Sequence, residues 1–363
     1  MGSPNRKYEI YTGIAILALT FGLFLAGELA LRTIQLMKFG QQESVEKSSA
    51  YYVDQATGLR LNVPNRQLGH IRINNIGFRG PDLVLEKSDN TLRLAFLGAS
   101  TTYDAYSPEG KNWPHLVSSK LQQLADCETD FVNGGKPGYS SDETIKLFNN
   151  FIEKTTPDIV LIFPSDINSD LEWQAEQQGL DVDHTSYRSP LNDYSLLLQK
   201  LEKNFRIIRL QRGAEKRAKK LHMEKDVLVE RFKSNLSRMI DAVSAKERIV
   251  VVITISDLLR REMSMRELVK AGNTRLYYMP YAYLPDVIEL REAYNVAIEE
   301  IADREGVVLV SGENDIPASS RFFTDSVHYT PDGSEAMAER VVRYLLKSPQ
   351  FLSLLTRKNC RMS

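Results

Sequence analysis

Apolar positions along this chain come in blocks. Five short runs rich in branched apolar residues recur at 92–97, 129–132, 158–163, 248–255 and 307–311. Each is short for a helix and bounded by polar or turn-forming residues, the pattern of strands buried on both faces. Helical patterns lie between them. Trp113–Ala125 is one, Ser140-x-x-Glu143 opens another as a capping box, and Phe232, Leu236, Met239, Ile240 and Val243 fall at helical spacing in a third. Alternating strands and helices predict an α/β fold, a three-layer α/β/α sandwich around a five-stranded parallel sheet with right-handed crossovers. In such sheets ligand-binding groups gather on loops beyond the carboxyl ends of the strands.

Two stretches break this rhythm. From Ile10 to Leu31 nearly every residue is apolar, with Arg6 and Lys7 before and Arg32 and Lys38 after. The uninterrupted part, Thr12–Gly27, reaches the roughly 20 residues of a membrane span once Glu28 is set at an interface. A transmembrane helix over 10–31 is the expectation, with a cleaved signal peptide (Leu25-Ala26-Gly27 as cleavage context) as the alternative. Glu28 reads as a snorkelling interface residue or a polar contact to another membrane protein. Basic residues at both flanks leave the orientation open.

The second departure is the connection 164–247, longer than a normal crossover and read as a helical insertion placed to act as a lid. It carries Lys203, Arg206, Arg209, Arg212, Lys216, Arg217, Lys219 and Lys220. A solvated face is the expected reading of that stripe, and anionic lipid or an acidic glycan the alternative. Trp173, Tyr187 and Tyr194 either line a substrate groove or pack the insertion down. Residues 32–69, polar from 38 onward apart from Tyr51-Tyr52-Val53, read as a stalk or lead-in, and 348–363 as a C-terminal tail.

At 363 residues, 42% hydrophobic and 26% charged, the chain can bury a full core. A formal net charge of −1 gives no reason to expect nucleic acid. Cys127 and Cys360 lack metal or redox spacing and are expected to be unpaired, because a terminal tail need not approach residue 127. No spacing implies a metal, and no glycine-rich loop implies a phosphate cofactor.

The candidate chemistry sits in two strings. Gly98-Ala99-Ser100-Thr101-Thr102 follows the run Leu92–Leu97, and Asp325-Ser326-Val327-His328 follows the run Gly306–Val310 and precedes Pro331-Asp332-Gly333. A serine hydroxyl is a poor nucleophile until an imidazole takes its proton, and the imidazole works better when a carboxylate fixes its tautomer. Asp181-Val182-Asp183-His184 repeats the D-x-x-H spacing, but no apolar run precedes it.

These blocks resemble the SGNH (GDSL-type) hydrolase superfamily, in its membrane-anchored bacterial branch. Ser100 matches the nucleophile block in a G-x-S-T-T form, Val132-Asn133-Gly134-Gly135-Lys136-Pro137-Gly138-Tyr139-Ser140 the second block, and Asp325 and His328 the last. Asn74-Asn75-Ile76-Gly77-Phe78-Arg79-Gly80 is similar to the N-x-x-G-F-R-G lead-in of anchored members. The family's third block, G-x-N-D, is altered. Counted from Pro157-Asp158, its glycine falls on Ser165 and its asparagine on Ile167, and a one-residue bulge would bring Asn168 to that place. The resemblance covers residues 70 to 347.

The resemblance implies a flavodoxin-like sandwich with Ser100 as nucleophile, His328 as general base and Asp325 as its orienting carboxylate. It implies an oxyanion hole from the backbone N–H groups of Ser100 and Gly138 and the side chain of Asn168. It places residues 1–9 in the cytoplasm and the hydrolase-like domain outside, periplasmic. With water as acceptor such a protein is an esterase, and with a sugar hydroxyl an O-acyltransferase. The implied substrates are acyl, above all acetyl, esters of cell-envelope or exported polysaccharide. The altered third block keeps open a catalytically weak or inactive domain that binds glycan or partner proteins.

Overall fold

The computed structural model describes residues 4–39, 50–164, 166–180, 195–198, 200–202, 205, 221–245 and 248–361. Ser165, His184, Tyr187, Tyr194 and the basic stripe from Lys203 to Lys220 lie outside them. The apolar N-terminus forms a helix, α1 (Pro4–Phe39). Its segment Tyr11–Ile34, 24 residues at a mean hydropathy of 2.2, is long and apolar enough to cross a membrane and is unburied.

Glu28 finds its partners within this chain. Its carboxylate accepts hydrogen bonds from Ser195 Oγ (2.9 Å) and from the backbone N–H of Leu196 (3.2 Å) and Leu197 (2.9 Å), and pairs with Arg32 at 2.8 Å. It thereby caps the helical turn at 196–198 within the insertion, satisfying N–H groups that a helix start leaves without partners. Gly27 admits the contact, since a Cβ there would stand 3.1 Å from Leu197 Cδ2.

Two short antiparallel hairpins follow, β1 (Tyr51–Val53) with β2 (Arg60–Asn62), and β3 (Arg66–Leu68) with β4 (Ile71–Ile73). Ala50, Leu59 and Leu61 are buried, so from residue 50 onward the expected stalk is part of the folded body.

The body then runs β5 (Thr91–Leu97), α2 (Ser100–Tyr103), α3 (Trp113–Leu124), β6 (Glu128–Asn133), α4 (Ser141–Leu147), β7 (Ile159–Ile162) and α5 (Ile167–Gln177). The chain continues with α6 (Lys225–Val243), the last part of the 164–247 connection, then β8 (Ile249–Ile253), α7 (Met265–Ala271), α8 (Asn273–Tyr278), α9 (Leu284–Glu305), β9 (Val308–Val310), α10 (Pro331–Leu345) and α11 (Pro349–Arg357). Strands β6-β5-β7-β8-β9 pair in that order, all parallel.

Because successive strand residues point to opposite faces, each apolar run feeds two cores. Ala95, Leu97, Val160, Ile162 and Val252 pack against Phe232 and Leu236 of α6 and Leu290 and Ile298 of α9. Leu94, Phe96, Leu161 and Val251 pack on the other face against Trp113 of α3, Val341 of α10 and Phe351 of α11. The result is the α/β/α sandwich expected of the alternating pattern. Ser140 caps α4 through the reciprocal box with Glu143.

The two cysteines correct the sequence expectation: Cys127 and Cys360 form a disulfide, their Cα atoms 5.2 Å apart. The cause lies in α11, which buries Phe351, Leu354 and Leu355 in the second core and so folds the supposed tail back onto the body. The backbone N–H of Asp126 donates to the carbonyl of Arg361 at 2.7 Å, bringing the two chain segments together. Replacing both cysteines by serine is expected to lower the unfolding free energy by about 2–4 kcal/mol. Denaturant titration of wild type and double variant measures it, and coincident midpoints would show the bridge to be energetically idle.

Candidate active site

Strand β5 ends at Leu97, and the chain turns sharply through Gly98 into α2. Only glycine fits there: a Cβ would lie 2.3 Å from Thr102 Oγ1 and 2.7 Å from the carbonyl oxygen of Phe163. The turn leaves Ser100 partly exposed at the carboxyl edge of the sheet.

Far along the chain, the loop after β9 is pinned by a bridge between Phe323 and Tyr329 and by the N–H of Leu258 donating to Ser326 O at 2.8 Å. That pinning brings His328 Nε2 to 2.8 Å from Ser100 Oγ. On its other side His328 Nδ1 lies 2.9 Å from Asp325 Oδ2. Asp325 Oδ1 also accepts the backbone N–H groups of Val327 and His328, each at 3.0 Å, so the loop's own turn aims the carboxylate. Burial opposes the charge on Asp325, but the imidazole and the two N–H groups outweigh it and hold the carboxyl below its usual range. The ring of Tyr106 packs edge-on against His328 at 5.3 Å.

A second structure fixes the Ser100 turn from below. Arg79, 1% exposed, donates to the carbonyls of Tyr103 (2.7 Å), Asp104 and Ser107 (2.6 Å). Asn74 shapes the turn that carries Arg79, accepting the N–H of Phe78 at 2.9 Å and donating to Pro81 O at 3.0 Å. The lead-in motif is thus a clamp on the serine loop. Asp104 completes it, accepting from Ser107 Oγ (3.0 Å), Trp113 N–H (3.0 Å) and Ser334 Oγ (2.6 Å), which ties the Ser100 turn to α10.

The second block packs beneath the same turn. Asn133 donates to Thr102 O at 3.1 Å, and a Cβ on Gly135 would meet Tyr103 N at 2.3 Å, so the two loops approach backbone to backbone. Gly138, exposed, then reaches a cavity of about 430 Å³ lined also by Ser100, Asn168, Glu172, Arg275 and Tyr278.

In the third block Ile167 turns into the core, 5% exposed, while Asn168 opens on the cavity. Its Oδ1 accepts from Arg275 Nη1 at 2.9 Å. Ser100, Gly138 and Asn168 therefore line one cavity, with His328 and Asp325 in hydrogen-bonded line behind the serine. Trp173 does not line it; it packs against the first core, under the guanidinium of Arg231 at 4.7 Å. The sequence reading missed Arg275, Glu172 and Tyr278, which belong to no motif.

An open parallel sheet bearing serine, histidine and aspartate in line at its carboxyl edge defines an arrangement of the serine-hydrolase class. Solved structures to which the chain is similar include the following. One is a lipase/acylhydrolase from Enterococcus faecalis (15% identity, covering 75% of this chain and 98% of that one, TM-score 0.42). The second is a variant of an acetyl xylan esterase from Geobacillus stearothermophilus (13%, 69% and 93%, 0.43). The third is a GDSL-like lipase from Bacteroides thetaiotaomicron (13%, 73% and 92%, 0.40). No family model and no curated protein matches the chain.

Proposed function

We propose that this protein is a membrane-anchored SGNH-type serine esterase or O-acyltransferase, acting on acyl, chiefly acetyl, esters of cell-envelope or exported polysaccharide. The observation that carries the reading is the continuous line Ser100 Oγ, His328 Nε2 and Nδ1, Asp325 Oδ2, at 2.8 and 2.9 Å. Ser100 Oγ attacks the ester carbonyl carbon while its proton passes to His328 Nε2. As the tetrahedral intermediate collapses, the C–O bond to the alcohol breaks and His328 protonates the leaving oxygen. Water or a sugar hydroxyl then attacks the acyl-serine, gives its proton to His328, and Ser100 recovers it. The backbone N–H groups of Ser100 and Gly138 and the side-chain amide of Asn168 hold the oxyanion, and one such donor is typically worth about 10²–10³ in rate.

The extracytoplasmic placement draws support from the disulfide, since such bonds persist in oxidising compartments, and from the unburied apolar α1. The polysaccharide substrate class rests on the likeness of the lead-in motif to anchored family members.

A fluorophosphonate probe incubated with the full chain in detergent is expected to form an adduct on the peptide bearing Ser100. The same preparation is expected to hydrolyse p-nitrophenyl acetate. Absence of both adduct and turnover would reject the esterase reading.

A further inference from the structure

Arg275 is buried to 5% exposure on α8, yet lines the cavity that holds Ser100. A guanidinium carries five N–H donors and stays charged. Here Nη1 donates to Asn168 Oδ1, and Nε is buried with no acceptor among the described residues. Among the described residues Arg275 forms no ion pair. The carboxylates whose charge reaches it bond other groups: Asp257 pairs through Oδ1 with Arg291 and Arg260, leaving its Oδ2 buried without a hydrogen bond, and Asp325 bonds His328.

A buried charge without a counter-charge is costly, and native structures retain one where something else supplies the partner. The cavity is where that partner can enter. We propose that Arg275 is the anchor for a carboxylate borne by the substrate close to its scissile ester, which makes the preferred substrate an anionic acyl ester. The proposal rests on the esterase reading above and narrows its substrate class.

Two features fix the position and kind of the group. Among the described residues the one side-chain hydrogen bond from Arg275 runs to Asn168, which with Ser100 and Gly138 lines the cavity, so the anion sits within one residue of the reacting carbonyl. The fork of a guanidinium matches the two oxygens of a carboxylate better than a single hydroxyl. The same bond occupies Asn168 Oδ1 and so turns Nδ2 away from Arg275, keeping that donor for the oxyanion. Two sources bring a carboxylate to this place: a sugar acid carrying the acyl group, or a dicarboxylic acyl group with its own free end.

The test compares kcat/KM of the full chain on two matched pairs. One is the O-acetylated methyl glucuronoside against the O-acetylated methyl glucoside; the other is p-nitrophenyl hydrogen succinate against p-nitrophenyl butyrate. The wild type is expected to favour the carboxylate-bearing member of one pair by about 10-fold to 100-fold, mostly in KM, as befits a charge-assisted contact. Which pair shows it identifies the source. Arg275→Gln is expected to bring that ratio to about one, while Arg275→Lys, which keeps the charge, retains part of it. A ratio near one in the wild type for both pairs, or a preference untouched by Arg275→Gln, overturns the inference while leaving the esterase reading standing. If no ester is turned over, the esterase reading fails on its own, and calorimetric binding of glucuronate and succinate decides: uptake lost in Arg275→Gln upholds the anchor, and no uptake rejects it.

Discussion

Ser100→Ala is expected to cut kcat for ester hydrolysis by about 10⁴- to 10⁶-fold while leaving the fold intact, the size of loss seen when other serine triads lose their nucleophile. The serine hydroxyl hydrogen-bonds His328 and supports nothing in the core. Its removal should therefore shift stability by no more than about 0.5 kcal/mol, as for most surface positions. His328→Ala should cost a similar factor, because without the imidazole the hydroxyl keeps its proton. The double variant should be scarcely worse than either single one, since the two side chains act as a unit and their losses do not add. Steady-state kinetics on p-nitrophenyl acetate, with thermal unfolding as the control, measures this. Retention of activity within tenfold of wild type in folded Ser100→Ala would exclude Ser100 as the nucleophile.

The sheet was legible because its strands are buried on both faces. Such strands are apolar at most positions, and the runs at 92–97, where Arg93 is the polar exception, and 158–163 contain β5 and β7 almost end to end. Helix α9, one of the longest in the body, left no such trace. Its buried face includes Arg291, Tyr294 and Asn295, which blur the apolar stripe. Each is buried because a distant partner satisfies it: Arg291 meets Asp257, Tyr294 donates to Asp170 at 2.6 Å, and Asn295 bonds both backbone groups of Ile255 at 2.7 and 3.0 Å. Those partners lie in other elements, so a local pattern cannot reveal them. The disulfide was hidden for the same reason, as its cysteines are 233 positions apart and only the docking of α11 joins them.

At the site, legibility followed the range of the geometry. Asp325 and His328 are three residues apart and meet within one turn, so their spacing announces them. Ser100 announces itself through the glycine that a tight strand exit requires. Asn168 is harder, because counting alone selects Ile167. The register is decided by which of the two neighbours the core takes, and the core takes the isoleucine. Arg275 was beyond reach, since nothing around Asn273-Thr274-Arg275 says that this short helix will fold over the cavity. The N-x-x-G-F-R-G lead-in was visible as a likeness, but its work, holding the serine loop by its carbonyls through Arg79, needed coordinates.

Asp325→Asn is expected to lower kcat by about 10⁴-fold, the cost measured for the equivalent change in a serine protease, although the side chain barely changes shape. In the wild type the carboxylate accepts a hydrogen from His328 Nδ1, which leaves Nε2 bare and able to take the proton of Ser100. The backbone N–H groups of Val327 and His328 both point at Oδ1, so an asparagine keeps its oxygen there and turns its NH₂ toward the ring. Nδ1 then becomes the acceptor, the proton moves to Nε2, and the base faces the serine already protonated. Charge enters a second way. Asp325 is held below its usual range by its imidazole and backbone donors in spite of burial. A carboxylate whose folded pKa is depressed adds stability that is fully present above its unfolded value, about 3.9, and is lost as pH falls through the lower folded value. The wild type should thus lose stability on acidification below about pH 4 more steeply than Asp325→Asn, which has no proton to take up there. Urea titrations at pH 7, 4 and 3 beside kinetics at pH 7 read both effects. Near-wild-type turnover in the asparagine variant would mean that His328 is oriented by something other than Asp325, and parallel acid profiles would mean that the carboxylate is not charged in the native state.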